Sequence, residues 1–295
     1  MITRRRFAVS AGLAAAAAVS APAVLRAAPP SAETLAAAFA RIERESGGRL
    51  GVAVRDTGAG LRAGHREDER FPLCSTFKLV AAAAVLARVD AGRERLDRRV
   101  AIPRDGLVTY SPVTERHAGE EMTLEALCEA AMVLSDNTAG NLLLEAIGGP
   151  AGLTDFARSL GDPVTRLDRI EPFLNESAPG DPRDTTSPAA MLETVRRLAL
   201  GDALAAGSRE KLVAWMVGNR TGDARLRAGV PAGWRVGDKT GTGDRGTAND
   251  VGVIWPPGRP PVVVAVYLTE TEAAPAVRNG AHAAVARAVV AALGT

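Results

Sequence analysis

Pro72-Leu73-Cys74-Ser75-Thr76-Phe77-Lys78, running into Leu79-Val80-Ala81-Ala82-Ala83-Ala84-Val85-Leu86, is the stretch at which this chain changes character. Before it, residues 50–55 alternate Leu50, Val52 and Val54 as a half-buried strand does, and Ala32–Ser46 has helical periodicity. After it, from Thr76 to about Gly218, the signals are helical: 79–91, 124–134, 138–147, 152–160, Pro188–Leu200 and 209–217, punctuated by Gly, Pro and Asp. Residues 234–239, 249–255 and 261–269 then read as three strands, and an Ala-rich helix runs to Leu293. Strands at both ends of a helical middle predict one sheet built from the two termini, with an all-helical domain inserted. Any site should lie at the junction of the two parts, where pockets commonly form.

The N-terminus reads Met1-Ile2-Thr3-Arg4-Arg5-Arg6-Phe7, then an apolar run over residues 8–24 and Ala27-Ala28-Pro29-Pro30. A basic start, an Ala-rich run and a small-residue exit describe an export signal over residues 1–28 rather than a membrane span. The paired arginines before Phe7 point to the twin-arginine route; an ordinary Sec signal with extra basic residues is the alternative. The chain has 36 basic and 34 acidic residues, and residues 1–30 hold four arginines and no acid. The exported part therefore carries 32 basic against 34 acidic residues, a net of −2. The basic excess belongs to the leader and argues for no nucleic acid and no anionic membrane as partner. About 265 residues remain, enough for one large or two interlocked domains with a substantial core. The expected partition is 29–66 and 216–295 for the sheet domain, and 67–215 for the helical one.

Three polar clusters interrupt these elements. The helix expected to start at Ser75 puts Lys78 three residues on, on the same face, where its nitrogen can approach Oγ. A serine hydroxyl is a weak nucleophile, and a neighbouring base is the general remedy. On its own the Ser75/Lys78 spacing is weak evidence, since most such spacings are a capping serine and a solvated lysine. Ser135-Asp136-Asn137 falls in a break between two helices, where Asp136 or Ser135 would cap free N–H groups. Lys239-Thr240-Gly241-Thr242-Gly243 lies on the first late strand and is polar where its neighbours are apolar. As an edge strand it would let an extended ligand lie alongside, the glycines permitting close approach. A fourth stretch, Glu171-Pro172-Phe173-Leu174-Asn175, sits in a Pro-, Gly- and Asp-rich loop bracketed by Arg169 and Asp184.

Ser-x-x-Lys, Ser-Asp-Asn and Lys-Thr-Gly in this order are the combined signature of class A β-lactamases and penicillin-binding proteins, and with Glu171 and Asn175 the chain resembles a class A serine β-lactamase. The resemblance implies an α/β (α+β) sandwich: a five-stranded antiparallel sheet flanked by helices, beside an inserted helical domain. It makes Ser75 the acylated nucleophile, with either Lys78 or Glu171 through a water as its acylation base, and Ser135 the relay of a proton to the leaving lactam nitrogen. Glu171 and Asn175 would hold the water that hydrolyses the acyl-enzyme. The N–H groups of Ser75 and Thr242 would form the oxyanion hole. Asn137 would bond the substrate's acylamide, Tyr110 would form an aromatic wall, and Lys239, Thr240, Gly241 and Thr242 would receive the carboxylate. Many relatives place an arginine five residues after the position of Gly243; here that residue is Ala248, and Arg225 is expected to supply the cation in a two-bond grip, with Arg227 as the rival. Arg169 and Asp184 would close an Ω-loop over 169–184, with a cis bond between Glu171 and Pro172. Asp136 would be structural.

Some relatives bridge the position of Cys128 to that of Ala82, others the position of Cys74 to that of Gly243; neither pair of cysteines exists here, so both thiols are expected to be free and buried. His65, His117 and His282 lack metal-ligand spacing. The expectation is thus an exported, periplasmic or secreted, monomeric hydrolase of penicillins and cephalosporins, without metal or cofactor. The alternatives are a D-alanyl-D-alanine carboxypeptidase or other penicillin-binding protein, disfavoured by Glu171 and Asn175, and a covalent β-lactam sensor.

Overall fold

The computed structural model describes residues 32–58 and 60–294; the export signal expected over residues 1–28 lies outside them. Helix α1 (Ala32–Ser46) leads into β1 (Arg49–Asp56) and β2 (Arg62–His65). The late strands are β7 (Arg235–Thr242), β8 (Ala248–Trp255) and β9 (Val262–Thr269), followed by α8 (Pro275–Ala292). The short pairs β3 (Phe71–Pro72) with β6 (Thr185–Thr186), and β4 (Arg99–Ala101) with β5 (Glu121–Thr123), lie between. The main sheet is antiparallel in the order β2-β1-β9-β8-β7, so β7 is an edge.

Period-two alternation sorts β9 between two cores. Val262, Val264, Val266 and Leu268 join Leu50, Val52 and Val54 against Leu35, Phe39 and Ile42 of α1 and Val285 and Val289 of α8. Val263, Ala265 and Tyr267 face the other way, into the core shared with the helices of the middle segment. All eight β9 residues are buried, which is why this central strand reads as an unbroken apolar run.

The middle segment holds α2 (Phe77–Asp90), α3 (Leu124–Val133), α4 (Asn137–Ile147), α5 (Gly149–Ser159), α6 (Pro188–Leu200) and α7 (Ala206–Val217). Residues 77–86 of α2 are buried on every face, as expected of a helix apolar all round, and Lys78 is the only charge among them. The caps agree with the sequence: Thr123, Asp136 and Ser187 each accept a free N–H at the start of α3, α4 and α6. Gly148, at φ 97°, takes the left-handed turn between α4 and α5.

Two local expectations change. The helix does not begin at Ser75: a 3-10 turn, Cys74–Thr76, precedes α2, with Cys74 at φ 42°. Strand β2 was not anticipated, because Arg62-Ala63-Gly64-His65 has one small apolar residue, and its backbone pairing with β1 alone defines it. Helix α6, in the stretch expected to form the helical insert, packs against β1, β8 and β9.

Candidate active site

Ser75 lies at the floor of a cleft of about 360 Å³ between the N-terminal end of α2 and the edge strand β7. Its hydroxyl is 2.9 Å from Nζ of Lys78 and 3.2 Å from Oε1 of Glu171. Lys78 and Glu171 are fully buried and 3.0 Å apart. Nζ of Lys78 also approaches Asn137 Oδ1 at 2.6 Å, the Ser135 carbonyl at 2.8 Å and Ser135 Oγ at 3.5 Å. Burial pulls the Lys78 pKa below the ordinary lysine value, although the Glu171 carboxylate opposes this. Nζ of Lys78 thus lies within proton-transfer distance of the Ser75 hydroxyl.

Ser135 sits in the break between α3 and α4 at φ 58°, and Lys239 Nζ donates to its Oγ at 3.0 Å. The hydroxyl thus stands between two buried lysines. Burial, with the charge of Lys78 added, holds the Lys239 pKa well below the usual lysine range. Asp136 turns the other way: it accepts from the N–H groups of Val113, Thr114 and Ala139 and from the Thr114 hydroxyl, all within 2.9 Å. Asn137 gives one N–H to the Thr109 carbonyl at 2.8 Å, leaving the second amide hydrogen for a ligand. Tyr110, 56 % exposed, stands at the mouth.

The loop bearing Glu171 is closed at its neck by Arg169, whose Nε lies 2.6 Å from Asp184 Oδ2. The other oxygen of Asp184 accepts the N–H groups of Asp168 and Arg169. Glu171–Pro172 is cis. Asn175 Nδ2 is 2.5 Å from Glu171 Oε2, while Asn175 Oδ1 is buried with no partner among the described residues. Lys239, Thr240 and Gly241 run along β7, with Thr242 at its end. A Cβ on Gly241 would stand 3.0 Å from the Leu73 carbonyl and 3.2 Å from Cys74 Cβ, so glycine is what lets β7 close on the Ser75 turn.

The matching family model, described as the beta-lactamase enzyme family, spans residues 33–293. An ancestral class A β-lactamase of known structure is 65 % identical, with a TM-score of 0.86, covering 87 % of this chain and 98 % of that one. The chain belongs to the class A β-lactamases. Its activity is hydrolysis of β-lactam antibiotics. Beta-lactamase L2 of Stenotrophomonas maltophilia is 48 % identical over 91 % of each chain. A carbapenem-hydrolyzing beta-lactamase KPC from Klebsiella oxytoca is 53 % identical over 78 % of each.

Within this class A β-lactamase, Arg225 departs from the two-bond grip expected of it. It is buried, and its guanidinium donates to the carbonyls of Gly241 and Asn249, to Thr242 Oγ1 and to Asn279 Oδ1. Four of its five N–H groups are thereby used, leaving one for a ligand. Arg225 lines the cleft and brings its charge and that one N–H to it. Arg227 is held by Asp238 at 2.7 Å. Cys74 and Cys128 are free and buried. His65 and His117 meet Glu43 and Glu120, and His282 is buried against the Arg278 carbonyl.

Sequence reasoning missed three residues that build the β-lactamase site. Asn141 clamps the Glu171 backbone from both sides, accepting its N–H at 2.9 Å and donating to its carbonyl at 3.0 Å. Its spacing four residues after Asn137 on α4, one turn along the same face, was the available signal. Gly140 admits the Lys78 side chain, since a Cβ there would stand 2.8 Å from Cε. Thr221 meets the Thr240 hydroxyl at 2.5 Å, with no local signal in the sequence.

Proposed function

We propose that this β-lactamase opens penicillins and cephalosporins in two steps through a Ser75 ester. The Lys78–Glu171 pair takes the Ser75 proton as Oγ bonds to the lactam carbonyl carbon. The N–H groups of Ser75 and Thr242 hold the oxyanion. The carbonyl–nitrogen bond then breaks, and the nitrogen receives a proton through Ser135, which Lys239 and Lys78 flank. Glu171 next removes a proton from water, the hydroxide adds to the ester carbonyl, and Ser75 leaves with its proton restored. Asn175 Oδ1 supplies the acceptor for that water's second hydrogen. Asn137 binds the acylamide, Tyr110 walls the mouth, and Lys239, Thr240, Thr242 and the charge of Arg225 receive the carboxylate.

The observation that carries this reading is the approach of Ser75 Oγ to both Lys78 and Glu171, with Asn175 bonded to the second Glu171 oxygen. A penicillin-binding protein or sensor needs the nucleophile but not a carboxylate and amide beside it to direct water. Acting as a monomer, the enzyme would be exported to the periplasm or secreted after loss of residues 1–28. Among the described residues no helix is long and apolar enough to cross a membrane. Cys74 has no partner to tether it to residue 243, so penicillins with some cephalosporins are the proposed spectrum; efficient steady-state imipenem hydrolysis would overturn that.

The test is a chromogenic cephalosporin assay on the mature protein and on Glu171→Ala, with intact mass for both. Sustained turnover by the first and a trapped acyl adduct on the second supports the two-step mechanism. A stable adduct on both would remove Glu171 from deacylation.

A further inference from the structure

Along the C-terminal half of α2 lies a second cleft, walled by α2, α5 and α6, of about 940 Å³. It is larger than the cleft at Ser75 and shares no residue with it. Its floor is apolar: Ala84, Ile147 and Leu160 are buried there, and Ala87 and Phe156 half-buried. Its rim is charged, with Arg88, Arg93, Arg196 and Arg197 against Asp155 and Asp202.

The four arginines differ in what they already hold. Arg196 grips Glu193 through Nε and the terminal nitrogen, at 2.9 and 2.6 Å. Arg197 reaches the same carboxylate only at 3.6 Å. The side chains of Arg88 and Arg93 have no hydrogen bond or ion pair among the described residues, and Arg88 Nε is buried without an acceptor. Glu94, whose pKa the Arg88 charge helps to lower, is already bound by Arg98 at 2.8 and 2.9 Å. Even with Glu193 added, the lining keeps a positive excess. The guanidinium groups of Arg88 and Arg93 line the cleft without a partner among the described residues, and together they offer an oxyanion charge-assisted bonds. An apolar body attached to that oxyanion would cover the floor of small and aromatic residues.

We propose that this cleft binds a small amphiphilic organic anion, with its acidic head on Arg88 and Arg93 and its aliphatic or aromatic body over Ala84, Ala87, Phe156 and Leu160. The charge and the apolar body are both required. The head alone leaves the apolar floor uncovered, and the body alone leaves the two unpaired guanidinium groups without an anion. The site is independent of the reaction assigned to Ser75.

The test titrates the mature protein with octanoate, acetate and octanol below their aggregation limits, at constant ionic strength, following backbone amides by NMR. Octanoate should shift amides in 84–93, 152–160 and 196–203 saturably, with acetate and octanol roughly tenfold weaker or more. An Arg88→Gln/Arg93→Gln double variant should bind octanoate roughly tenfold less tightly, the scale of one lost charge-assisted hydrogen bond. Its turnover of a chromogenic cephalosporin should be unchanged, reporting an intact fold. Shifts that never saturate, that map to the Ser75 cleft, that octanol reproduces, or that ignore the double variant would each overturn the site.

Discussion

Nζ of Lys78 lies 3.0 Å from Oε1 of Glu171, and neither side chain touches solvent. A buried ion pair gains little net stability, because desolvating two charges costs about as much as their attraction returns. Its consequence is conditional: each group makes the other tolerable, and Ser75 Oγ sits within hydrogen-bond reach of both. Ser75 Oγ therefore lies between an amine and a carboxylate that each offset the cost of burying the other.

Lys78→Ala removes one partner and strands the other. Acylation should fall by about 10²–10⁴, the usual worth of a positioned base. Breaking a buried pair typically costs about 3–5 kcal/mol. Stopped-flow acylation and urea unfolding read the two effects; acylation within about tenfold of the parent would remove Lys78 from the base role.

Gly140→Ala tests the space that Lys78 occupies. In a helix interior this change normally stabilises by about 0.5–1 kcal/mol. Here the new Cβ would stand 2.8 Å from Lys78 Cε and 3.3 Å from Phe77, so Nζ must shift. The expected result is a fold that survives with slower acylation. A variant as active as the parent would show that the lysine stem yields without cost.

Asp136→Ala should be severe for stability. It leaves three N–H groups and the Thr114 hydroxyl without their acceptor in a buried site. Orphaned buried donors cost about 1–3 kcal/mol each, and a lost cap about 1 kcal/mol, so a total of about 3 kcal/mol or more is expected. Denaturant unfolding measures it, and a loss near that of an ordinary surface substitution would contradict the anchoring role.

Acid stability should depend on Glu43. Burial opposes its ionisation, but bonds from Arg66, the Leu50 N–H and His65 outweigh this and lower its pKa from 4.5 to about 2. A carboxylate depressed in the folded state adds stability that is fully present above 4.5 and disappears as pH falls through about 2. Glu43→Gln should thus be less stable than the parent at neutral pH and converge with it across that window. A stability difference that does not change with pH would refute the linkage.

The two ends and the helical middle were legible because burial leaves a period in the residues: alternation in β1, an unbroken apolar run in β9, and all-round apolarity in α2. Strand β2 was illegible because backbone pairing to β1, not its side chains, defines it. Ser75 with Lys78, and the cap at Asp136, could be read because they are local contacts within a turn.

The residues of the site, their order and the family they resemble were in the sequence by itself. Tertiary structure alone decided that Asn141 clamps Glu171, that Gly140 makes room for Lys78, and that Arg225 spends four donors on the protein. These relationships join residues that are far apart in the chain, or turn on how much space and how many donors remain after packing. Local patterns record at most a shared helix face, as for Asn141 with Asn137, because the free energy of a buried polar group depends on every neighbour the fold brings to it.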